Sequence, residues 1–204
     1  MISIVDYGMC NVGSISSMLK KIGASHNIIS TAQELRLADK VILPGVGAFD
    51  NGMSQLANLG LTDALNEKAL KEKVPVLGIC LGMQLLTNGS EEGQLPGLGW
   101  IKAMTRKFDF FSMDKPLKVP HMGWNDIKVK HTSPILNDMY SEPRFYFVHS
   151  YHVCCENNED VIATTQYGFE VSAIVGADNI FGAQFHPEKS HKFGMKLLEN
   201  FSKI

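Results

Sequence analysis

The segment Gly78-Ile79-Cys80-Leu81-Gly82 sets a thiol between glycines two residues before it and two after. An apolar run, Val74-Pro75-Val76-Leu77, leads in, and Met83, Leu85 and Leu86 lead out at helical spacing. This is the pattern of a strand-to-helix elbow, which thrusts the central side chain out at the carboxyl edge of a sheet. Such a turn is too tight for side chains at positions 78 and 82. The following helix would aim its N-terminus at the thiol, which favours a negatively charged sulfur. The Leu81 backbone N–H would face an oxyanion developing on an attacked carbonyl. The chemistry implied is nucleophilic attack by Cys80.

A nucleophile of this kind needs a base and a group to orient the base. Gly182-Ala183-Gln184-Phe185-His186-Pro187-Glu188 supplies both, about a hundred residues further on. His186 falls at the end of the last predicted strand, where sites on parallel sheets collect. Pro187 keeps His186 extended. Period 2 in an extended chain then puts Glu188 on the same side as His186. A carboxylate there can hold the imidazole tautomer and stabilise the imidazolium beside a thiolate.

Elements that could position these groups follow from the apolar pattern. Ile2-Ser3-Ile4-Val5 reads as a buried strand ending at Gly8, and Val12, Ile15, Leu19 and Ile22 recur at helical spacing. His26 to Ile29 is a second strand, and Thr31-x-x-Glu34 fits a capping box. Val41-Ile42-Leu43 is a third strand closed by Pro44 and Gly45, and Leu61 to Lys73 reads as a polar-faced helix. Strand and helix alternating in this way predict a parallel sheet with helices on its faces. After Gly93 the β-like runs are Trp100-Ile101, Leu117 to Val119, Asp126 to Lys130, Arg144 to Cys155, Val161 to Tyr167 and Val171 to Val175. They predict antiparallel strands added to the sheet or packed beside it. Ile180 to Phe185 is the last strand and Phe193 to Phe201 a closing helix. The expected fold class is α/β: a mostly parallel central sheet with helices on both faces plus added antiparallel strands, in one domain over residues 1–204.

Composition bounds the function. With 204 residues, 45% hydrophobic, the chain is large enough for a sizeable core. Its 19 basic and 21 acidic residues give a net charge of −2, against the basic excess of a nucleic-acid surface. No apolar run reaches the ~20 residues of a membrane helix. Met1-Ile2-Ser3-Ile4-Val5-Asp6 has no basic region and meets an acid too early for a secretory signal, so a cytoplasmic protein is expected. Of the four cysteines, Cys10, Cys80, Cys154 and Cys155, none forms a C-x-x-C pair, which argues against a disulfide framework or a zinc ribbon. His149 and His152 would face opposite sides of a strand and lack a third ligand at recognisable spacing, so no metal is expected. The ten methionines read as core filler.

Three blocks, Pro44-Gly45-Val46-Gly47, Gly78-Ile79-Cys80-Leu81-Gly82-Met83-Gln84 and Phe185-His186-Pro187-Glu188, resemble the signatures of the class I glutamine amidotransferases. Asp6-Tyr7-Gly8 with Asn11, Pro120-His121-Met122-Gly123-Trp124-Asn125 and Tyr146-Phe147-Val148-His149-Ser150-Tyr151 resemble one branch, the glutaminase subunits of imidazole glycerol phosphate synthases. The resemblance runs from the first strand to the last helix. It implies that Cys80 attacks the side-chain amide of L-glutamine, that His186 protonates the departing ammonia and then activates water, and that Glu188 orients His186. It implies an oxyanion strand of Gly45, Val46 and Gly47 acting with Leu81, whose needed N–H turns inward only on a signal from the partner. Two glycines make such a turn physically easy. Gln84, Glu92 and the backbone near Ser150 and Tyr151 would hold the substrate's amino-acid end.

By the same resemblance, Met9, Asn11, Trp124, Tyr146 and Lys189 map to the face that meets a (β/α)8-barrel synthase subunit in a heterodimer. Ammonia would pass into that barrel, which makes imidazole glycerol phosphate and AICAR in histidine biosynthesis. No cofactor, nucleic acid or membrane is implied. Gly123 beside Trp124 suggests a turn and an exposed ring. Cys10 departs from the pattern, which usually has glycine there. The stretches Ser90 to Ile101 and His186 to Gly194 resemble a side branch that supplies ammonia for acetamidino-sugar synthesis in surface polysaccharides, and this is the alternative acceptor. A peptidase-like cysteine hydrolase would leave the His-Met-Gly-Trp-Asn block unexplained. A non-catalytic scaffold would be marked by a missing triad member, and all three are present.

Overall fold

The computed structural model describes residues 1–111 and 116–204. The chain begins with β1 (Ile2–Val5), α1 (Val12–Lys21), β2 (His26–Ile29), α2 (Ala32–Leu35) and β3 (Lys40–Gly45). Next come α3 (Phe49–Asn58), α4 (Leu61–Asn66), β4 (Val76–Cys80) and α5 (Leu81–Leu85). The second half holds β5 (Gly89–Ser90), β6 (Ala103–Lys107), β7 (His121–Asp126), β8 (Lys128–Val129), β9 (Arg144–His149) and β10 (Tyr151–Cys155). It ends with β11 (Val161–Tyr167), β12 (Phe169–Ala177), β13 (Ile180–Ala183) and α6 (His191–Lys203). Among the described residues no helix is long and apolar enough to cross a membrane.

The main sheet has the order β2-β1-β3-β4-β13-β12-β11-β8. Pairing is parallel from β2 through β13 and antiparallel from there to β8. Two smaller sheets, β10-β6-β5 and β7-β9, lie apart from it. The second-half strands are therefore both added to the sheet and set outside it. Helices cover both faces. Leu35, Phe49, Leu56, Leu65 and Leu85 bring α2 through α5 into one buried cluster. Ile15, Leu19, Leu197 and Phe201 bring α1 and α6 into the other.

Several elements depart from the sequence expectation, each for a physical reason. Strand β3 runs on through Pro44 and Gly45 instead of closing there. Proline lacks a donor, but pairing with β1 stops at Ile42, so none is needed on that side. The helix expected over Leu61 to Lys73 is α-helical only to Asn66 and continues as a π turn over Glu67–Lys71. Helix α3 was not foreseen, because Asn51, Gly52 and Asn58 weaken its propensity. Gly52 is there for packing: a Cβ would lie 3.2 Å from both terminal carbons of Leu85. Trp124 sits within β7, not in a turn, although Gly123 has φ of 127°. The capping box at Thr31 and Glu34 forms as read.

The elbow after β4 brings backbone segments into close approach. Cys80 has φ 55° and ψ −111°, a strained conformation for a residue with a side chain. A Cβ on Gly82 would lie 1.8 Å from the Leu43 carbonyl oxygen, and one on Gly78 would lie 2.7 Å from the Gly82 carbonyl oxygen. Both obstacles are backbone, so neither can yield without moving β3 or α5. Gly82→Ala should destabilise the protein by about 3 kcal/mol or more. A denaturant midpoint close to that of the parent chain would contradict this account.

Candidate active site

The carboxyl ends of β3, β4 and β13 lie side by side, with Gly45 opposite Cys80 and Ala183 opposite Ile79. The elbow presents the Cys80 sulfur at this edge. Three residues beyond Ala183, His186 arrives, its backbone N–H donating to Tyr146 carbonyl at 2.9 Å. Its Nδ1 donates to Glu188 Oε1 at 2.7 Å, which fixes the tautomer with Nε2 toward the cleft. Glu188 reaches this place by a tight 3-10 turn over Pro187–Lys189, not by the extended alternation expected from sequence. Proline suits the first position of such a turn because its missing donor is not required there. Ser190 clamps the turn, donating from Oγ to His186 carbonyl at 2.6 Å and accepting from Tyr146 N–H at 3.0 Å.

A cleft of about 520 Å³ opens in front of these groups, bordered by Cys80, Leu81, Gln84, Glu92, Tyr151 and His186. Val46, Gly47 and Ser150 also face it. The structure thus gathers the expected nucleophile, base, oxyanion segment and substrate-holding residues in one place. Gly45 and Glu188 stand behind them, on a smaller cavity of about 240 Å³ beside Cys10 and Asn11. Glu92 caps α3 from 43 residues away, its Oε2 accepting from Phe49 N–H at 2.8 Å. The helix that follows the oxyanion segment is thereby tied to the substrate-facing loop. The Asp50 carboxylate accepts from Gln94 N–H at 2.9 Å and from Leu95 N–H at 3.0 Å, pinning the same loop.

The expected partner-facing residues fall into two neighbouring groups. Trp124, 43% exposed, stacks on His191 at 5.5 Å and meets Tyr146 edge-on at 6.4 Å. Lys189 Nζ sits 5.7 Å above the Tyr146 ring. Met9 lies beside the oxyanion segment, its carbonyl accepting from Val46 N–H at 2.6 Å. Asn11 precedes α1 and borders the smaller cavity.

Sequence reasoning assigned no role to Gln184. It is fully buried, and its Nε2 lies 3.9 Å from the Cys80 sulfur. Its Oε1 accepts from Gln84 Nε2 at 3.1 Å, and the same Gln84 amide approaches Tyr151 carbonyl at 3.3 Å. A chain of amides therefore joins the nucleophile to the substrate-facing backbone. Period 2 back from His186 was the available signal.

Electrostatics separates four buried histidines into two kinds. Burial alone would lower His186, but hydrogen bonding and charge at Cys80 and Glu188 outweigh it and raise the ring to about 9. His186 Nε2 itself has no regular hydrogen-bond partner, so the influence of Cys80 is that of a nearby sulfur. His121, His149 and His152 go the other way. Burial pushes His121 and His152 down to about 4 and His149 to about 3.

Two of these neutral rings, His121 and His149, form a directed chain. Asn125 Nδ2 donates to His121 Nε2 at 3.2 Å, His121 Nδ1 donates to His149 Nε2 at 3.0 Å, and His149 Nδ1 donates to Tyr151 carbonyl at 2.7 Å. Every link is satisfied only when both imidazoles are neutral. His149 and His152 do not face opposite sides as expected. The bend at Ser150 separates β9 from β10, and both rings meet Phe108, at 5.3 and 4.8 Å. Among the described residues no group of three or more His, Cys, Asp or Glu could hold a metal.

The unfolded chain protonates these three histidines near the ordinary value of about 6.5, whereas the folded chain does so only near 4 and below. Between those limits the unfolded state binds more protons, so stability falls as pH falls. The urea midpoint should drop from pH 7 to 4.5, with unfolding near pH 5 taking up about three protons. A midpoint unchanged across that window would show that the rings are not held neutral.

Comparison with known proteins adds the following. The family described as glutamine amidotransferase class-I matches residues 3–204. The chain is 54% identical over 203 residues to "Imidazole glycerol phosphate synthase subunit HisH 2" of Methanococcus maripaludis, covering 100% of this chain and 99% of the relative. It is 47% identical over 204 residues to subunit HisH of Bdellovibrio bacteriovorus, and 46% identical to HisH 2 of Pseudomonas aeruginosa, with full coverage of both. Among solved structures, a glutamine amidotransferase matches with TM-score 0.76 at 16% identity over 100% of both chains. The structure of PurLQS from Thermotoga maritima matches with TM-score 0.74 at 19% identity over 98% of this chain and 96% of that one. At those identities the two structures speak to fold alone.

Proposed function

Because the chain belongs to the class-I glutamine amidotransferase family, we propose that it is a glutaminase subunit in which Cys80, His186 and Glu188 release ammonia from L-glutamine for a partner synthase. The observation that carries this reading is the meeting, on one cleft, of a cysteine on a strained elbow and a histidine locked by a carboxylate.

The Cys80 sulfur, its proton passed to His186, attacks the side-chain amide carbon of glutamine, and the carbonyl becomes an oxyanion beside Leu81 N–H at the start of α5. His186, protonated at neutral pH, gives its Nε2 proton to the amide nitrogen, and ammonia leaves. The γ-glutamyl thioester that remains is attacked by water. The now neutral His186 takes that water's proton, and collapse of the second tetrahedral adduct frees glutamate and the thiol. Glu188 holds the ring in the tautomer that both steps need. Gln84, Glu92 and the Ser150–Tyr151 backbone, which line the cleft, hold the amino-acid end of the substrate.

The partner is a (β/α)8-barrel synthase subunit of histidine biosynthesis. Relatives 43% to 54% identical over the full chain, each named as a HisH subunit of imidazole glycerol phosphate synthase, support that assignment. The exposed Trp124, with Tyr146, Lys189, Met9 and Asn11 around the same edge, is the docking face. A second acceptor has one specific observation in its favour. The Ser90 to Ile101 stretch resembles subunits that feed acetamidino-sugar synthesis.

Glutamate release should be measured with the chain mixed with the histidine-pathway barrel of the same genome, with and without the barrel's aminoimidazole ribonucleotide substrate. Strong stimulation is expected. Cys80→Ala should abolish release while still forming the complex, and Glu188→Gln should lower kcat by roughly a hundredfold to ten-thousandfold. A folded chain that is never stimulated by this barrel would transfer the assignment to the sugar-modifying synthase. Activity surviving in Cys80→Ala would overturn the proposed chemistry altogether.

A further inference from the structure

The hydroxyl of Tyr7 has no hydrogen-bond partner, although the residue is only 1% exposed. A native protein leaves few buried polar groups unpaired, and each such group has a cost that calls for an explanation. The position of this one is informative. It occupies the space where a side chain on residue 45 would begin: a Cβ on Gly45 would lie 2.5 Å from Tyr7 Oη. Only glycine can stand beside it. Gly45 is the first residue of the proposed oxyanion segment, at the end of β3 and opposite Cys80.

The Val46 N–H that this segment would offer to an oxyanion is already taken, by the Met9 carbonyl at 2.6 Å. To reach the cleft, the Gly45–Val46 peptide plane must turn over. In a trans peptide the N–H and C=O point in opposite directions. Turning the N–H toward Cys80 therefore swings the Gly45 carbonyl toward the side where Met9 carbonyl lies. Two carbonyl oxygens facing each other repel, and a buried carbonyl needs a donor. The one unpaired hydroxyl beside Gly45 is Tyr7.

Resting on the glutaminase reading above, we infer that Tyr7 is a positioning residue whose hydroxyl receives the turned Gly45 carbonyl and so holds the oxyanion N–H in place during catalysis. The hydroxyl is unpaired in the resting chain because its partner is the other state of the peptide. Tyr7 touches neither substrate nor thiol in this role; it acts through the backbone of residues 45 and 46.

The inference makes two opposite demands on Tyr7→Phe. Removing an unpaired buried hydroxyl should raise the melting temperature of the isolated chain by about 2–4 °C. In the complex with the barrel and its ribonucleotide substrate, the same change should lower kcat for glutamine hydrolysis about tenfold and leave KM for glutamine unchanged. A structural hydroxyl would give a lower melting temperature, which would overturn the inference. A rise in KM, marking a role in holding glutamine, would also overturn it. An active wild type with an equally active Tyr7→Phe complex would sink this inference alone, whereas a wild-type complex silent toward glutamine would sink it together with the reading on which it rests.

Discussion

The near-contact between the start of α5 and the end of β3 governs the rest of the site. With the Gly82 α-carbon pressed toward the Leu43 carbonyl, no chain other than a glycine-flanked one can turn from β4 into α5 here. The strain of Cys80 follows, since its φ of 55° is what reverses the chain within one residue. So does the buried character of α5, whose five residues all lie inside. The same approach places β3 against β4 on one side, and β13 occupies the other. Cys80, the proposed nucleophile, is thus bracketed by the proposed oxyanion segment and by the strand that delivers His186. Three segments distant in sequence meet because one turn allows no alternative.

Burial acts on all four buried histidines in the same direction, so burial cannot be what distinguishes the proposed base from its neighbours. Charge does. His186 has the Glu188 carboxylate and the Cys80 sulfur beside it, and its ring is raised. His121, His149 and His152 are surrounded by Phe108, Phe147, Tyr167 and a backbone carbonyl, and theirs are lowered. The ring stacks keep the neutral rings dry, and the hydrogen bonds of His121 and His149 run in one direction to the Tyr151 carbonyl. The same residue type therefore sits as a raised, charged ring at the proposed base and as neutral scaffolding elsewhere in the site's surroundings. The scaffold fixes the Tyr151 carbonyl, to which the Gln84 amide also reports.

Much of this was legible in the residues because it is local. The elbow glycines, the Thr31 capping box, the first two strands and the His186–Glu188 pair are patterns written over a few consecutive positions. What escaped was set by distant contacts. Helix α3 has weak intrinsic propensity and is capped by Glu92 from another part of the chain, which no window of neighbouring residues can reveal. The role of Gln184 depends on Gln84 and Cys80 lying across the sheet. The pairing of His121 with His149 depends on β7 lying against β9 in register. Glu188 was placed rightly beside His186 for an incomplete reason, because a proline-initiated turn brings it there.

The geometry also bears on how a partner could control the chemistry. Met9 belongs to the proposed docking face, and its carbonyl holds Val46 N–H, while the Val46 side chain is 48% exposed on the same edge. One hydrogen bond therefore separates the proposed docking face from the proposed oxyanion segment. Such a bond contributes only about 1 kcal/mol net, and glycines on both sides of Val46 make the backbone turn inexpensive. A modest difference in how a partner contacts the two states is then enough to shift the population between them. Control at this point also suits the product. Ammonia is small and would be lost to solvent if released before a synthase was in place, so a subunit that completes its oxyanion site only when docked spends glutamine only when an acceptor is present.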